Sequence, residues 1–223
     1  STELYYRHIN EGIKAQLGGL HSAKIALVSV DFHDIETLQH QGNWAAAGQQ
    51  LAKAAQSVEA AGADFLLICT NTMHKVVPQI ESVLQIPILH IADATALAIK
   101  AKGLKTVGLL GTQFTMEQAF YKDRLIHQHG LQVLVPSEGD REIVHRVIYE
   151  ELCLGVINPN SHREYLRIMA ALKAQGAEGI IAGCTEITLL VKQADLEIPL
   201  LDTTALHAAA AVTKALDTGS PSL

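Results

Sequence analysis

Apolar residues along this chain follow two rhythms. Short unbroken runs, such as Ile25-Ala26-Leu27-Val28, Phe65-Leu66-Leu67-Ile68 and Ile180-Ile181-Ala182, alternate with longer stretches in which apolar positions recur every three or four residues. The short runs fit strands buried on both faces, and the spaced pattern fits one face of a helix. The order predicts a helix over 1–16, built on Leu4, Tyr5, Ile9 and Ile13 and capped by Ser1 or Thr2, then a strand over 24–30 and a polar loop over 31–36. Ligands of open α/β sheets collect at such carboxyl ends of strands. Helices are expected over 45–61, 73–84 and 92–102, with Pro78 kinking or breaking the second and Gly103 ending the third. The pattern continues with a strand over 106–110, a helix over 115–129 closed by Gly130, a strand over 131–135 and a helix over 138–154. Pro159 and Ser161 lead into a helix ending near Gln175, followed by a strand over 179–182, a short helix to Val191, a strand over 198–201 and a terminal helix to about Leu216. Strands alternating with helices through short Gly- and Pro-marked loops imply an α/β fold with parallel sheets covered on both faces. Residues 218–223 read as a disordered tail.

The pattern is written twice. Gly176-Ala177-Glu178-Gly179-Ile180-Ile181-Ala182-Gly183-Cys184 matches Gly62-Ala63-Asp64-Phe65-Leu66-Leu67-Ile68-Cys69-Thr70 step for step, so Thr70 is the counterpart of Cys184. The match extends to Ile86-Pro87-Ile88-Leu89 against Ile198-Pro199-Leu200-Leu201, and to residues 93–95 against 202–204. Self-similarity at a domain-sized spacing means two pseudo-symmetric lobes, here 1–102 and 103–202, with the helix over 203–217 packing back on the first lobe. The two turns then face each other across a cleft. In the second copy a strand and the turn Gly111-Thr112 precede the first helix, and nothing equivalent precedes Ser1. The repeat therefore predicts that the first lobe lacks an N-terminal strand and its glycine turn.

Composition narrows the chemistry. A formal charge of −6 gives no basic stripe and argues against nucleic acid as a partner. No apolar run is long enough to span a bilayer and no signal peptide is visible, so no membrane partner is expected. Three cysteines without CxxC spacing fit a cytoplasmic protein better than a disulfide framework. The eleven histidines are scattered without metal-ligand spacing, so no metal is expected. Neither GxGxxG, GxxxxGK[ST] nor GxSxG occurs, which leaves a reactive thiol as the strongest chemical candidate. Beside a turn and a helix N-terminus, the Cys184 thiol is expected to titrate near neutrality. Two groups facing each other across a small ligand suit inversion at carbon, where one face loses a proton and the other gains one.

At Thr70-Asn71-Thr72-Met73-His74 and Gly183-Cys184-Thr185-Glu186 the chain resembles the aspartate/glutamate racemase family, whose paired signatures are Cys-Asn-Thr-x-His and Gly-Cys-Thr-Glu. The likeness covers essentially the whole chain and is greatest to the broad-specificity bacterial amino-acid racemases that use no pyridoxal phosphate. It implies a homodimeric isomerase without cofactors, with Cys184 and the residue at position 70 as acid and base on Cα. It further implies substrate contacts from Asn71, Thr72 and Thr185, and an L-aspartate- or L-glutamate-like substrate. The departure is Thr70, where the family carries its first cysteine. A hydroxyl is too weak an acid to supply a base near neutrality, although it can relay a proton. Since the second-half cysteine acts on the L enantiomer in the family, the resemblance implies bias toward L substrates. Cys69 stands next to Thr70, but strand alternation points it to the opposite face.

Other positions have two readings each. His74 is either a local hydrogen-bonding residue or catalytic support, and Glu186 either a first-turn carboxylate or an orienter of Thr185 or of a substrate ammonium. Asn71 and Thr72 are turn-formers or ligand contacts. Thr112 belongs to the turn that helps frame the site, and Cys153 reads as core between Leu152 and Leu154. Gln39 is the candidate for the substrate side chain, because the basic residues of typical aspartate racemases are not found after Val30 or near Cys153. The alternatives are a single-cysteine decarboxylase or cis-trans isomerase of the same superfamily, and a catalytically idle amino-acid-binding protein.

Overall fold

Residues 1–217 are described by a computed structural model. The first copy runs through α1 (Thr2–Leu17), α2 (Phe32–His40), α3 (Trp44–Ala60), a 3-10 turn (Thr72–Val76), α4 (Val77–Glu81) and α5 (Ile91–Ala101). The second runs through β1 (Thr106–Gly111), α6 (Gln113–Glu117), α7 (Ala119–Asp123), a π-helical turn (Arg124–Gln128), β2 (Gln132–Leu134), α8 (Glu138–Glu150) and a 3-10 turn (Leu152–Leu154). It continues with α9 (Pro159–Ala174), β3 (Gly179–Gly183), α10 (Ile187–Leu190), a 3-10 turn (Gln193–Asp195), β4 (Leu200–Asp202) and α11 (Thr203–Leu216).

The second copy builds a parallel four-stranded sheet of order β2-β1-β3-β4. Its two inner strands are almost wholly buried, as their unbroken apolar runs require. Gly111 and Gly183 lie opposite each other in the β1–β3 register. A Cβ on Gly183 would stand 2.8 Å from the Leu110 carbonyl oxygen, so the backbone can approach this closely only with glycine immediately before Cys184.

The first copy departs from expectation. Residues 24–30 form no strand, and among the described residues the sheet expected there is reduced to one parallel bridge, Leu66↔Ile88. The polar loop over 31–36 is instead the start of α2, because the Asp31 carboxylate accepts from the His33 N–H (3.0 Å) and caps the helix. Pro78 breaks the 73–84 segment rather than kinking it, sitting in the first turn of α4, where its missing N–H costs nothing. The helix expected over 115–129 is three pieces, interrupted at Gln118, whose backbone is extended. The helix over 138–154 ends at Glu150, and the 3-10 turn after it closes on left-handed Gly155. Cys153 is consequently exposed rather than core.

The repeat register also needs one correction. His90 caps α5 through its ring nitrogen and Asp202 caps α11, so His90 rather than Asp93 is the counterpart of Asp202. Asp93 is engaged elsewhere, in a two-pronged pair with Arg124 (2.7 Å each) and a bond to His129 (2.9 Å).

The terminal helix α11 packs on α1 and α5. Close approach at Gly12, where a Cβ would meet a Val212 methyl at 2.7 Å, sets the spacing of α1 on α11. The Tyr5 hydroxyl lies 2.8 Å from His207 Nδ1 across the same contact.

Candidate active site

A cavity of about 1650 Å³ runs from the middle of the first copy to the carboxyl end of β3. At that end it is bordered by Gln39, Thr70, Asn71, Thr72, Thr112, Cys184, Thr185 and Glu186. The two matched turns of the repeat therefore share one space, together with the turn after β1.

Cys184 follows the last residue of β3, and its thiol donates to Glu186 Oε2 at 2.9 Å. Thr185 Oγ1 donates to the same oxygen at 2.6 Å, which fixes the carboxylate. Burial pushes the Cys184 thiol well above its ordinary value, and the adjacent Glu186 charge pushes it further. The expected near-neutral thiol is thus corrected: α10, with only four residues, brings too little positive end potential to offset burial of the thiol and the partly buried carboxylate beside it. Without ligand, the site holds a thiol pointed at a carboxylate. Glu186→Gln should lower the pH of half-maximal Cys184 alkylation by iodoacetamide, measured by mass spectrometry of the Cys184 peptide. Burial keeps it from falling all the way to that of a free thiol.

On the other turn, the Thr70 N–H donates to the Ile68 carbonyl at 2.8 Å, a tight reversal that ends strand-like alternation there. Cys69 and Thr70 both border the cavity. Burial raises the Cys69 thiol to about 11, which leaves it protonated. His74 lies outside the cavity lining and bridges two backbones: Nδ1 is 2.8 Å from the Thr70 carbonyl and Nε2 accepts from Ile91 N–H at 3.2 Å. These partners fix a neutral ring with its proton on Nδ1. His74 thereby holds the Thr70 carbonyl in place.

Asn71 is buried, and its amide donates to Thr203 Oγ1 (3.0 Å), which in turn donates to the Ala182 carbonyl (2.9 Å) at the base of the Cys184 turn. This chain of bonds ties the two lobes together and fixes the amide's orientation. Asn71 Oδ1 is left buried without a partner among the described residues. An orphaned acceptor of this kind costs roughly 1–3 kcal/mol and invites a ligand donor. Thr72, Thr112 and Thr115 form a hydroxyl triangle with edges of 2.9, 3.3 and 3.2 Å. Gln39 is held by the Tyr149 hydroxyl on its carbonyl (3.2 Å) and contacts Met73 Sδ with its amide (2.8 Å).

Three contributors were not picked out from sequence. Thr115 was signalled by the Thr112-x-x-Thr115 cap spacing and Thr203 by its place in the cap of α11. Nothing local signals Tyr149, which reaches Gln39 from α8.

The chain's relatives have the same fold. Residues 1–211 match the sequence pattern of the Asp/Glu/hydantoin racemases. The broad specificity amino-acid racemase RacX of Bacillus subtilis is 27% identical over 161 residues, spanning 71% of this chain and 67% of that protein. A Yersinia pestis protein named as a candidate Asp/Glu racemase is 57% identical in its crystal structure, with a TM-score of 0.90 over 96% of this chain and 94% of that one. An aspartate racemase homologue from Pyrococcus horikoshii OT3 is 29% identical, with a TM-score of 0.79 over 96% and 92% of the two chains. On a match that takes in both turns and nearly the full described length, the chain belongs to the Asp/Glu/hydantoin racemase family.

Proposed function

We propose that this protein is a cofactor-independent racemase of free amino acids in which Cys184 takes the Cα proton of the L enantiomer and Thr70 stands on the opposite face. The reading rests on the Cys184 thiol donating to Glu186 inside a cavity shared with Thr70 and with the unpartnered Asn71 oxygen. A substrate ammonium donating to Asn71 Oδ1 brings positive charge beside Glu186 and Cys184. That charge favours the thiolate, and the thiol proton passes to Glu186. The Cα–H bond then breaks, its proton going to Cys184 sulfur and its electron pair into the substrate carboxylate. The threonine triangle supplies hydroxyls that can re-aim toward that growing negative charge. Return of a proton from the Thr70 side inverts the centre, the hydroxyl handing on its own proton and regaining one from water. Aspartate- or glutamate-like substrates are the first to test, with Gln39 and Tyr149 beside the side chain.

Because Thr70 cannot hold a base, the two directions are unequal. In D2O, proton NMR should show the Cα signal of L-aspartate or L-glutamate disappearing at least tenfold faster than that of the D enantiomer. Equal loss from both would overturn the assignment of Thr70 as the weaker side. Absence of loss across a panel of amino acids would sink the racemase reading.

A further inference from the structure

We infer that Thr203 is a specificity-determining residue: acting through Asn71, it sets the polarity of the cavity so that the site selects a ligand group that donates hydrogen bonds over one that accepts them. The inference rests on the proposed seating of the substrate ammonium at Asn71, and not on the proton transfer that follows.

An asparagine amide has two ends of nearly the same shape and opposite hydrogen-bonding character. What it offers a ligand depends on which end its neighbours take. Thr203 opens α11 and is fully buried, held in place because the Asp202 carboxylate accepts from the N–H groups of Thr204 (2.9 Å) and Ala205 (3.2 Å). Its hydroxyl has a single hydrogen, which goes to the Ala182 carbonyl at 2.9 Å, an atom that can only accept. The Thr203 oxygen then has only lone pairs to offer, so the Asn71 group 3.0 Å away is the amide nitrogen. Oδ1 is the end left over, buried and without a partner among the described residues. Hydrogens thus run one way, from Asn71 through Thr203 to the backbone of β3 just before Cys184.

Packing alone does not call for this hydroxyl. By the repeat, Thr185 is the counterpart of Asn71, and Ile91 that of Thr203 because His90 matches Asp202. Ile91 opens α5 and is buried at the equivalent junction, which closes without a hydroxyl. Thr185 turns to Glu186 instead. The Asn71–Thr203 bond therefore has no equivalent in the other copy, and the cavity carries a fixed acceptor at one of its two turns.

With valine at position 203, the Asn71 N–H group loses its acceptor in a buried place. Turning the amide over brings Nδ2 toward the ligand, where it repels an ammonium and receives a carbonyl oxygen. An L-amino acid and its α-keto acid separate these two states, because they share a side chain and a carboxylate and differ only at Cα. A charge-assisted bond to Oδ1 favours the ammonium by about 10- to 100-fold. Glu186 attracts the ammonium in every variant, so part of the preference survives without Thr203.

The test is isothermal titration calorimetry of L-glutamate against α-ketoglutarate and of L-leucine against α-ketoisocaproate. Wild type should bind the amino acid at least tenfold more tightly than the keto acid in at least one pair. No such preference in either pair overturns the polarity. Thr203→Val should lower the ratio at least fivefold, and a smaller drop overturns Thr203 as its source. A merely structural fault would weaken both ligands and leave the ratio unmoved. Thr203→Ser restores the hydroxyl and should keep the ratio within threefold of wild type; a larger drop shows that the hydroxyl is not the cause. Should the valine variant fail to fold, Asn71→Ala decides, since it has no amide to orient. It too should lower the ratio at least fivefold, and a ratio kept closer to wild type overturns the route through Asn71. Binding is read without turnover, so absence of Cα exchange with these ratios intact would sink the racemase reading and leave the role of Thr203 standing.

Discussion

Cys184→Ala is expected to slow Cα proton exchange from L-amino acids by about 10²- to 10⁴-fold, the range over which a positioned acid or base accelerates proton transfer. The expectation follows from geometry. Cys184 is the thiol at the carboxyl end of a buried inner strand, bonded to the Glu186 carboxylate. Cys69 stands beside Thr70 on the other turn of the repeat, away from the Glu186 carboxylate that the Cys184 thiol meets. Binding should suffer less, because Asn71 and the threonine triangle do not depend on the sulfur. The loss therefore falls on kcat, with KM changed by a few-fold at most. Cys184→Ser separates chemistry from packing: it keeps the shape of the turn but offers a hydroxyl, so it should exchange nearly as slowly as the alanine variant while unfolding at the same temperature as wild type. Should either variant keep L exchange within tenfold of wild type, Cys184 is not the base, and Glu186 becomes the next residue to examine.

How much of this was legible in the sequence differs between the copies. In the second, the apolar runs at 106–110 and 179–182 became the inner strands because each pairs on both edges and needs no partner from outside. The same kind of run at 24–30 stayed unpaired, since apolar periodicity reports burial tendency but not whether a neighbouring strand is there to pair with. The paired turns border one cavity, because a repeat constrains topology over long distances. Its register failed at Asp93, where short polar residues at two nearby positions looked alike and only the capping bonds of His90 and Asp202 distinguish them. Protonation was the least legible. A thiol at a turn suggests a low pKa, yet the outcome depends on the depth of burial and on one oxygen of Glu186, and neither follows from spacing. The role of His74 was equally hidden, because both of its partners are backbone groups.

Those buried imidazoles carry the second large effect, a loss of stability in mild acid. His74 and His90 rings lie 4.4 Å apart between centroids, and His74 and His207 rings 6.0 Å. Burial holds all three neutral, with His74 and His90 driven well down and His207 lowered to about 4. For His90, the Arg124 charge adds to burial. The unfolded chain takes up protons on these rings near the ordinary histidine value of about 6.5, while the native state does not until far lower pH. Unfolded protein thus binds more protons in that window, and the free energy of unfolding falls as pH drops from about 6.5 toward 4. His207 alone accounts for about 3 kcal/mol, from a shift of about 2.5 units at 1.36 kcal/mol each. Urea denaturation between pH 8 and pH 4 should therefore show a flat region above pH 7 and a steep decline below it. In His207→Gln, which takes up no proton, the decline should be shallower by about 3 kcal/mol, although the variant starts from lower stability at pH 8 for want of the Tyr5 and Leu89 bonds. Stability that stays level from pH 7 to pH 5 would mean that these rings accept protons without unfolding. Protonation of His74 at Nε2 would then cost only its bond from the Ile91 N–H and leave Nδ1–H on the Thr70 carbonyl.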